Sequence, residues 1–166
     1  HYEWSRKKAR KLISSLLGGY TCGTLVFWRP SDDSMASVRG ATPDNWSDLI
    51  LDGHQRLATL YMLIRGTVPP TCEHNNMRYD PRGMVIDLVT GSFSYPERAP
   101  GGTCVPVVDC FSLNQDDIVG RVPEEAQEEA ADTFRALHGI RGLVYPIQHV
   151  SLSREEAKEQ YVLMNR

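Results

Sequence analysis

Residues 49–60 read Leu-Ile-Leu-Asp-Gly-His-Gln-Arg-Leu-Ala-Thr-Leu, and no other stretch restricts the fold as much. Leu49, Ile50 and Leu51 form an apolar run with the character of the end of a buried strand. Gly53 permits a tight turn at little steric cost. Leu57, Leu60, Tyr61 and Ile64 then recur at helical spacing, which predicts a helix starting near Arg56 with those side chains on its buried face. Gly66 stops that helix, and Pro69 and Pro70 forbid its continuation. The chain must therefore pass from β to α within five residues.

A strand–turn–helix of this kind aims unsatisfied backbone N–H groups, and the positive end of a helix dipole, at one point. Such a point favours an anion. His54, Gln55 and Arg56 sit there. Arginine is a permanent cation with a fork of donors suited to phosphate. Glutamine donates and accepts, and histidine changes charge near neutral pH. Asp52 has the chemistry to hold a metal, a ribose hydroxyl or Arg56 itself. The same residues also make an ordinary helix N-terminus, with Asp52 capping and Arg56 paired on the surface. The motif is neither a Walker A loop nor a GxGxxG fingerprint, so the residues alone leave both readings open.

The 166 residues suit one domain. Hydrophobic residues make up 41 % and charged residues 23 %, which is ordinary for a globular protein. No apolar run approaches the ~18 residues of a membrane span, and the Lys- and Arg-rich start is not a signal peptide. The chain opens inside a motif and closes on a helical pattern, which suggests a fragment of a longer protein. Net charge is −3 but uneven: residues 1–66 carry +3 and the remainder −6, so the half with the turn is the half that suits phosphate. This balance argues against a strong non-specific DNA-binding module standing alone. Cys22, Cys72, Cys104 and Cys110 form no CxxC pairs, and Cys72-Glu73-His74 falls short of the four ligands of a zinc site. Four reduced thiols in a cytoplasmic protein is the expectation.

Taken in order, Ser5 caps a helix in which Ala9, Leu12, Ile13, Leu16 and Leu17 make one apolar stripe, ended by Gly18 or Gly19. Its other face carries Arg6, Lys7, Lys8, Arg10 and Lys11, either solvated or in contact with a nucleic-acid backbone. Residues 24–28 form a strand, residues 29–46 a long polar loop, and residues 46–51 the strand that feeds the turn. Residues 67–81 are irregular. His74-Asn75-Asn76 lacks the second histidine and metal clamp of a His-Asn-His nuclease. Residues 84–89 and 92–95 form a hairpin around Thr90-Gly91, and residues 105–108 a short edge strand containing Pro106. Residues 114–119 make a turn of helix. Pro123 opens a helix that buries Ala126, Ala130, Phe134 and Leu137 and ends at Gly139. Residues 143–150 read as a strand with Pro146 inside. Ser153 and Glu156 then form a capping box for a last helix with Ala157 and Tyr161 inward, ending at Asn165.

Asp52-Gly53-His54-Gln55-Arg56-Leu57-Ala58-Thr59-Leu60 resembles the Asp-Gly-Gln-Gln-Arg-Leu-Thr-Thr-Leu signature of domain-of-unknown-function family 262, the N-terminal domain of GmrSD-type modification-dependent restriction systems. His54 and Ala58 are the departures. Tyr2-Glu3-Trp4 resembles the family's Arg-x-Tyr-x-Trp start, residues 12–20 its first helix and exit, residues 87–93 a hairpin of many members, and residues 161–166 its Phe-x-x-x-Asn close. The resemblance spans nearly the whole chain.

That resemblance implies a mixed α/β fold of the ParB/sulfiredoxin kind, with a small mixed sheet and helices around it. It implies a nucleoside triphosphate, ATP or GTP, bound at Gly53, His54, Arg56 and Asn165, with Asp52, Gln55 and Arg56 as the catalytic set and Asp52 as ligand to Mg²⁺. Nucleotide hydrolysis would gate a nuclease domain further along the protein, in a restriction or antiphage-defence role. Some members of the family sense modified DNA near the segment that Tyr2 and Trp4 match, and the cationic face with Lys7, Lys8 and Lys11 belongs to the DNA-binding reading. A DNA-binding module without turnover and a ParB-like nuclease acting through Asp52 are the competing readings.

Overall fold

The computed structural model describes residues 2–31, 48–70, 72, 77–99 and 101–164. In chain order its elements are α1 (Arg6–Leu17), β1 (Leu25–Pro30), β2 (Leu49–Asp52), α2 (His54–Arg65), β3 (Val85–Asp87), β4 (Phe93–Ser94), β5 (Cys104–Pro106), α3 (Val107–Ser112), α4 (Gln115–Val119), α5 (Gln127–Gly139), β6 (Ile147–Leu152) and α6 (Arg154–Met164). Short 3-10 turns lie at Pro81–Gly83, Pro96–Arg98, Glu124–Ala126 and Ile140–Gly142. The fold is mixed α+β. The strands form two three-stranded sheets, not the one small sheet expected. The chain divides into two compact units: His1–Cys22 with Gln55–Val144, and Gly23–His54 with Tyr145–Arg166.

The first unit is mostly helical. α1 buries Ala9, Leu12, Ile13 and Leu16 and exposes its cations, as its stripe predicts. β3 is the centre of an antiparallel sheet ordered β4-β3-β5. The hairpin between β3 and β4 is closed by Asp87, whose carboxylate accepts the amides of Val89 and Thr90 at 2.9 and 3.2 Å. β5 is an edge strand, as Pro106 suggests, but it stops at that proline. Val107 and Val108, expected in the strand, open α3 instead. Proline cannot donate to a ladder, and here it occupies the residue before the first helical turn. α5 buries Ala130, Phe134 and Leu137 and leaves its acidic face exposed.

α2 departs from its expected face. It begins at His54, two residues early, and its buried residues are Ala58, Thr59, Leu60, Met62 and Leu63. Tyr61 is 38 % exposed. Thr59 is fully buried, and its hydroxyl donates to the Gln55 carbonyl at 2.7 Å.

The second unit is a sheet ordered β2-β1-β6, with β1 antiparallel to β2 and parallel to β6. β6 starts at Ile147, so residues 143–146 lie outside the strand expected there. The Pro146 carbonyl accepts the Leu25 amide at 2.9 Å and begins the pairing that its absent N–H could not continue. Val26, Trp28, Leu51 and Ala157 form the core of this unit, and the Trp28 indole donates to the Leu152 carbonyl at 2.8 Å. α6 has its capping box: the Ser153 amide donates to the Glu156 carboxylate at 2.8 Å, and the Glu156 amide to the Ser153 hydroxyl at 3.4 Å. Tyr161 does not face inward. It is 53 % exposed, because a sheet of three short strands covers little beyond Ala157 and Met164. Among the described residues no helix is long and apolar enough to cross a membrane.

Candidate functional site

The turn at residues 52–56 has the local form its sequence predicts. β2 ends at Asp52, α2 begins at His54, and Gly53 joins them with φ +99°, a backbone angle that side-chain-bearing residues rarely adopt. Gly53 is buried. The boundary between the two units falls within this one continuous stretch. Asp52, Gly53 and His54 belong to the second unit, Gln55 and Arg56 to the first.

Within the first unit the start of α2 is tied down by three hydrogen bonds from two segments. The Glu3 amide donates to Gln55 Oε1 at 2.9 Å. The Tyr2 hydroxyl lies 2.8 Å from Thr59 Oγ1. Since Thr59 gives its proton to the Gln55 carbonyl, Tyr2 is the donor of that bond. Arg56 donates through one guanidinium nitrogen to the Cys22 carbonyl at 2.5 Å. The segments just before and just after α1 thus both grip the first two turns of α2.

The electrostatics assign different parts to neighbouring residues. Burial lowers the His54 pKa, so its imidazole is neutral near pH 7 and supplies a donor and an acceptor, not a charge. The permanent cation of the turn is Arg56. Burial raises the Cys22 thiol, against the pull of the Arg56 charge, and keeps it protonated rather than nucleophilic. None of Cys22, Cys72, Cys104 and Cys110 is in a disulfide. Among the described residues no three His, Cys, Asp or Glu side chains gather to hold a metal.

The residues expected to meet nucleic acid are distributed unevenly. Tyr2 has no exposed surface; it packs with Ala58, Met62 and Cys72, and Trp4 lies half-buried against that cluster. A ring so placed has no face to stack on a base. Lys7, Lys8 and Lys11 are exposed on α1. Asn165, Glu73, His74, Asn75 and Asn76 lie outside the described residues, as does most of the polar loop at 29–46. Sequence reasoning missed Thr59 and Cys22 as partners of the turn. The Thr at i+4 from Gln55 was a signal for the first; for the second, a backbone carbonyl, no signal exists.

Comparison with curated proteins yields no match. The family model described as the GmrSD restriction endonuclease N-terminal domain matches residues 1–163, almost the entire sequence, and the chain belongs to that family.

Proposed function

We propose that the chain is a nucleoside-triphosphate-binding regulatory domain of a restriction system, and that residues 52–56 receive the phosphates. The observation that carries this reading is the conversion of β2 into α2 through a positive-φ glycine, with an aspartate before it and Gln-Arg after it. The first amides of α2 have no partner within the helix and point, with the dipole, toward the turn. Arg56 adds a full charge, and its bond to Cys22 limits how far the guanidinium strays. Gln55 accepts the Glu3 amide through its side-chain oxygen, and its NH₂ has the chemistry to donate to a phosphate oxygen or an attacking water. His54, neutral, replaces the family's first glutamine as a group that donates and accepts without charge. Asp52 would hold Mg²⁺ brought with the nucleotide, where the ion would neutralise phosphate charge. Turnover would then be reported to a nuclease domain elsewhere in the protein, the arrangement its family name suggests.

The experiment is calorimetric titration of ATP and of GTP, with Mg²⁺, into the chain and into Arg56→Lys and Asp52→Asn. Lysine keeps the charge but loses the forked donors. The reading expects one nucleotide to bind and each substitution to weaken it about tenfold, a typical loss for one charge-assisted contact. Absence of binding by the parent chain, or unchanged binding by both folded variants, overturns it.

A further inference from the structure

α1 opens with five cations in six positions, Arg6, Lys7, Lys8, Arg10 and Lys11, and has no acidic residue in its first turn. Its N-cap, Ser5, makes no side-chain cap bond. Cations at the positive end of a helix oppose the dipole, so this end is built against its own stability unless an anion joins it. Beside it, β4 and the 3-10 turn Pro96–Arg98 complete a hollow of about 230 Å³ lined by Arg6, Lys7, Arg10, Ser94, Tyr95 and Arg98. Four of the six are cations.

The walls are held in place. Arg6 is ion-paired with Glu97 and lies over the rings of Tyr95 and Tyr79, 4.7 and 5.2 Å from their centroids. The Tyr95 hydroxyl donates to the Arg6 carbonyl at 2.8 Å. Lys7, Arg10 and Arg98 have no ion-pair partner among the described residues, so three positive charges face one small space unbalanced. Ser94 lines the hollow, and its hydroxyl is buried with no hydrogen-bond partner among the described residues. Orphaned buried hydroxyls are rare in folded proteins and ask for an explanation.

We propose that this hollow seats a phosphate group, with Arg6, Lys7, Arg10 and Arg98 supplying charge and Ser94 a hydroxyl donor. Donors that converge from a helix, a strand and a turn suit a tetrahedral anion better than a planar carboxylate. None of these residues belongs to the 52–56 turn, so the proposal stands apart from the nucleotide site. The phosphate is either a backbone phosphate of a nucleic-acid strand or that of a free nucleotide.

The test uses the whole chain, Arg10→Gln, Arg98→Gln and Ser94→Ala, with Arg56→Lys beside them. Binding of a labelled DNA oligonucleotide is followed by fluorescence polarisation across a salt series, and binding of ATP and of inorganic phosphate by calorimetry. Each arginine substitution is expected to weaken binding about tenfold while the melting temperature holds. If the source is a strand, the slope of log affinity against log salt also falls by about one per cation removed. Ser94→Ala is expected to weaken binding several-fold without lowering the melting temperature, since it removes an unpartnered hydroxyl; a merely structural serine would not separate the two readouts. Oligonucleotide binding sensitive to Arg10 and Arg98 but not to Arg56 identifies a strand. ATP or phosphate binding with the same sensitivity identifies a free phosphate. No binding of any of the three, or binding lost in Arg56→Lys and intact in Arg10→Gln and Arg98→Gln, overturns the proposal.

Discussion

Tyr2→Phe removes one oxygen from a residue with no exposed surface and gives a sharp test of how the N-terminal segment is held. In the parent chain the phenol donates to Thr59 Oγ1 at 2.8 Å, and Thr59 is itself fully buried. The variant keeps the ring but leaves that oxygen short of a donor in a place water does not reach. The expected loss is about 1–2 kcal/mol at pH 7, or roughly 3–6 °C in melting temperature for a chain of this size. The pH dependence is more telling. Burial pushes the Tyr2 phenol up to about 12 from its ordinary 10. A group whose folded pKa is raised contributes stability that is intact below its unfolded pKa and lost as pH climbs toward the folded one. The contribution at stake is about 3 kcal/mol, roughly half of it gone by pH 11. Phenylalanine has nothing to ionise. The urea midpoints of parent and variant should therefore differ at pH 7 and converge near pH 11. A gap of equal size at both pH values, or none at pH 7, would refute the reasoning. Thr59→Val in the same background supplies the cycle: once the acceptor is gone as well, the second substitution should do much less harm than the first.

Asp87→Asn should destabilise the first unit by ~1–2 kcal/mol and flatten the acid side of its stability curve. Burial raises the Asp87 carboxyl, but the Val89 and Thr90 amides and threonine hydroxyls outweigh it and hold the pKa below its ordinary value, so stability is lost as pH falls through that value; denaturant midpoints between pH 2 and 6 read this, with the range set by ordinary carboxyl titration. Gly53→Ala places a Cβ at φ +99° and should cost more than ~1 kcal/mol, seen in thermal melts, with weaker nucleotide binding beside it on the proposed reading. Gln55→Glu keeps the bond from the Glu3 amide and sets a negative charge at the favourable end of α2, so melting temperature should hold or rise while nucleotide affinity falls about tenfold or more; affinity that stays put would show that Gln55 does not meet phosphate.

What the sequence revealed and concealed follows from the range of the interactions. α1, the Asp87 hairpin and the Ser153–Glu156 capping box are decided by residues within a few positions of one another, and each appears where the pattern puts it. The pairing of β1 with β6 joins residues over a hundred positions apart, and nothing local announces that two sheets form where one was expected. Tyr2, expected to meet nucleic acid, is polar enough for a ligand contact, yet it is buried with its hydroxyl satisfied by Thr59. Val107 shows the opposite failure, a β-branched residue drawn into a helix by the proline before it. For the candidate sites, the turn at 52–56 was legible because its residues are contiguous. The hollow was not: Ser94 and Arg98 are unremarkable in sequence, and only the fold sets them beside Arg6 and Arg10.

Within the first unit, Tyr2-Glu3-Trp4 and the start of α2 from Gln55 to Thr59, two of the most recognisable segments of the chain, are bonded to one another. Tyr2 and Glu3 precede α1, Cys22 follows it, and all three bond to Gln55, Arg56 or Thr59. A helix start held by one bond can fray; held from both ends of a neighbouring helix, it keeps its amides and its arginine in one arrangement before any ligand arrives. Such preorganisation lowers the ordering entropy that binding must otherwise overcome. It also gives the N-terminal tyrosine a role that needs no contact with a ligand. Its effect on an anion at the turn would pass through Thr59 and Gln55, and the cations of α1 are carried on the same helix whose ends make these ties. Losing the Tyr2 hydroxyl should therefore loosen the start of α2 before it disturbs anything at the surface, which is why its burial is the more informative fact about that motif than its identity.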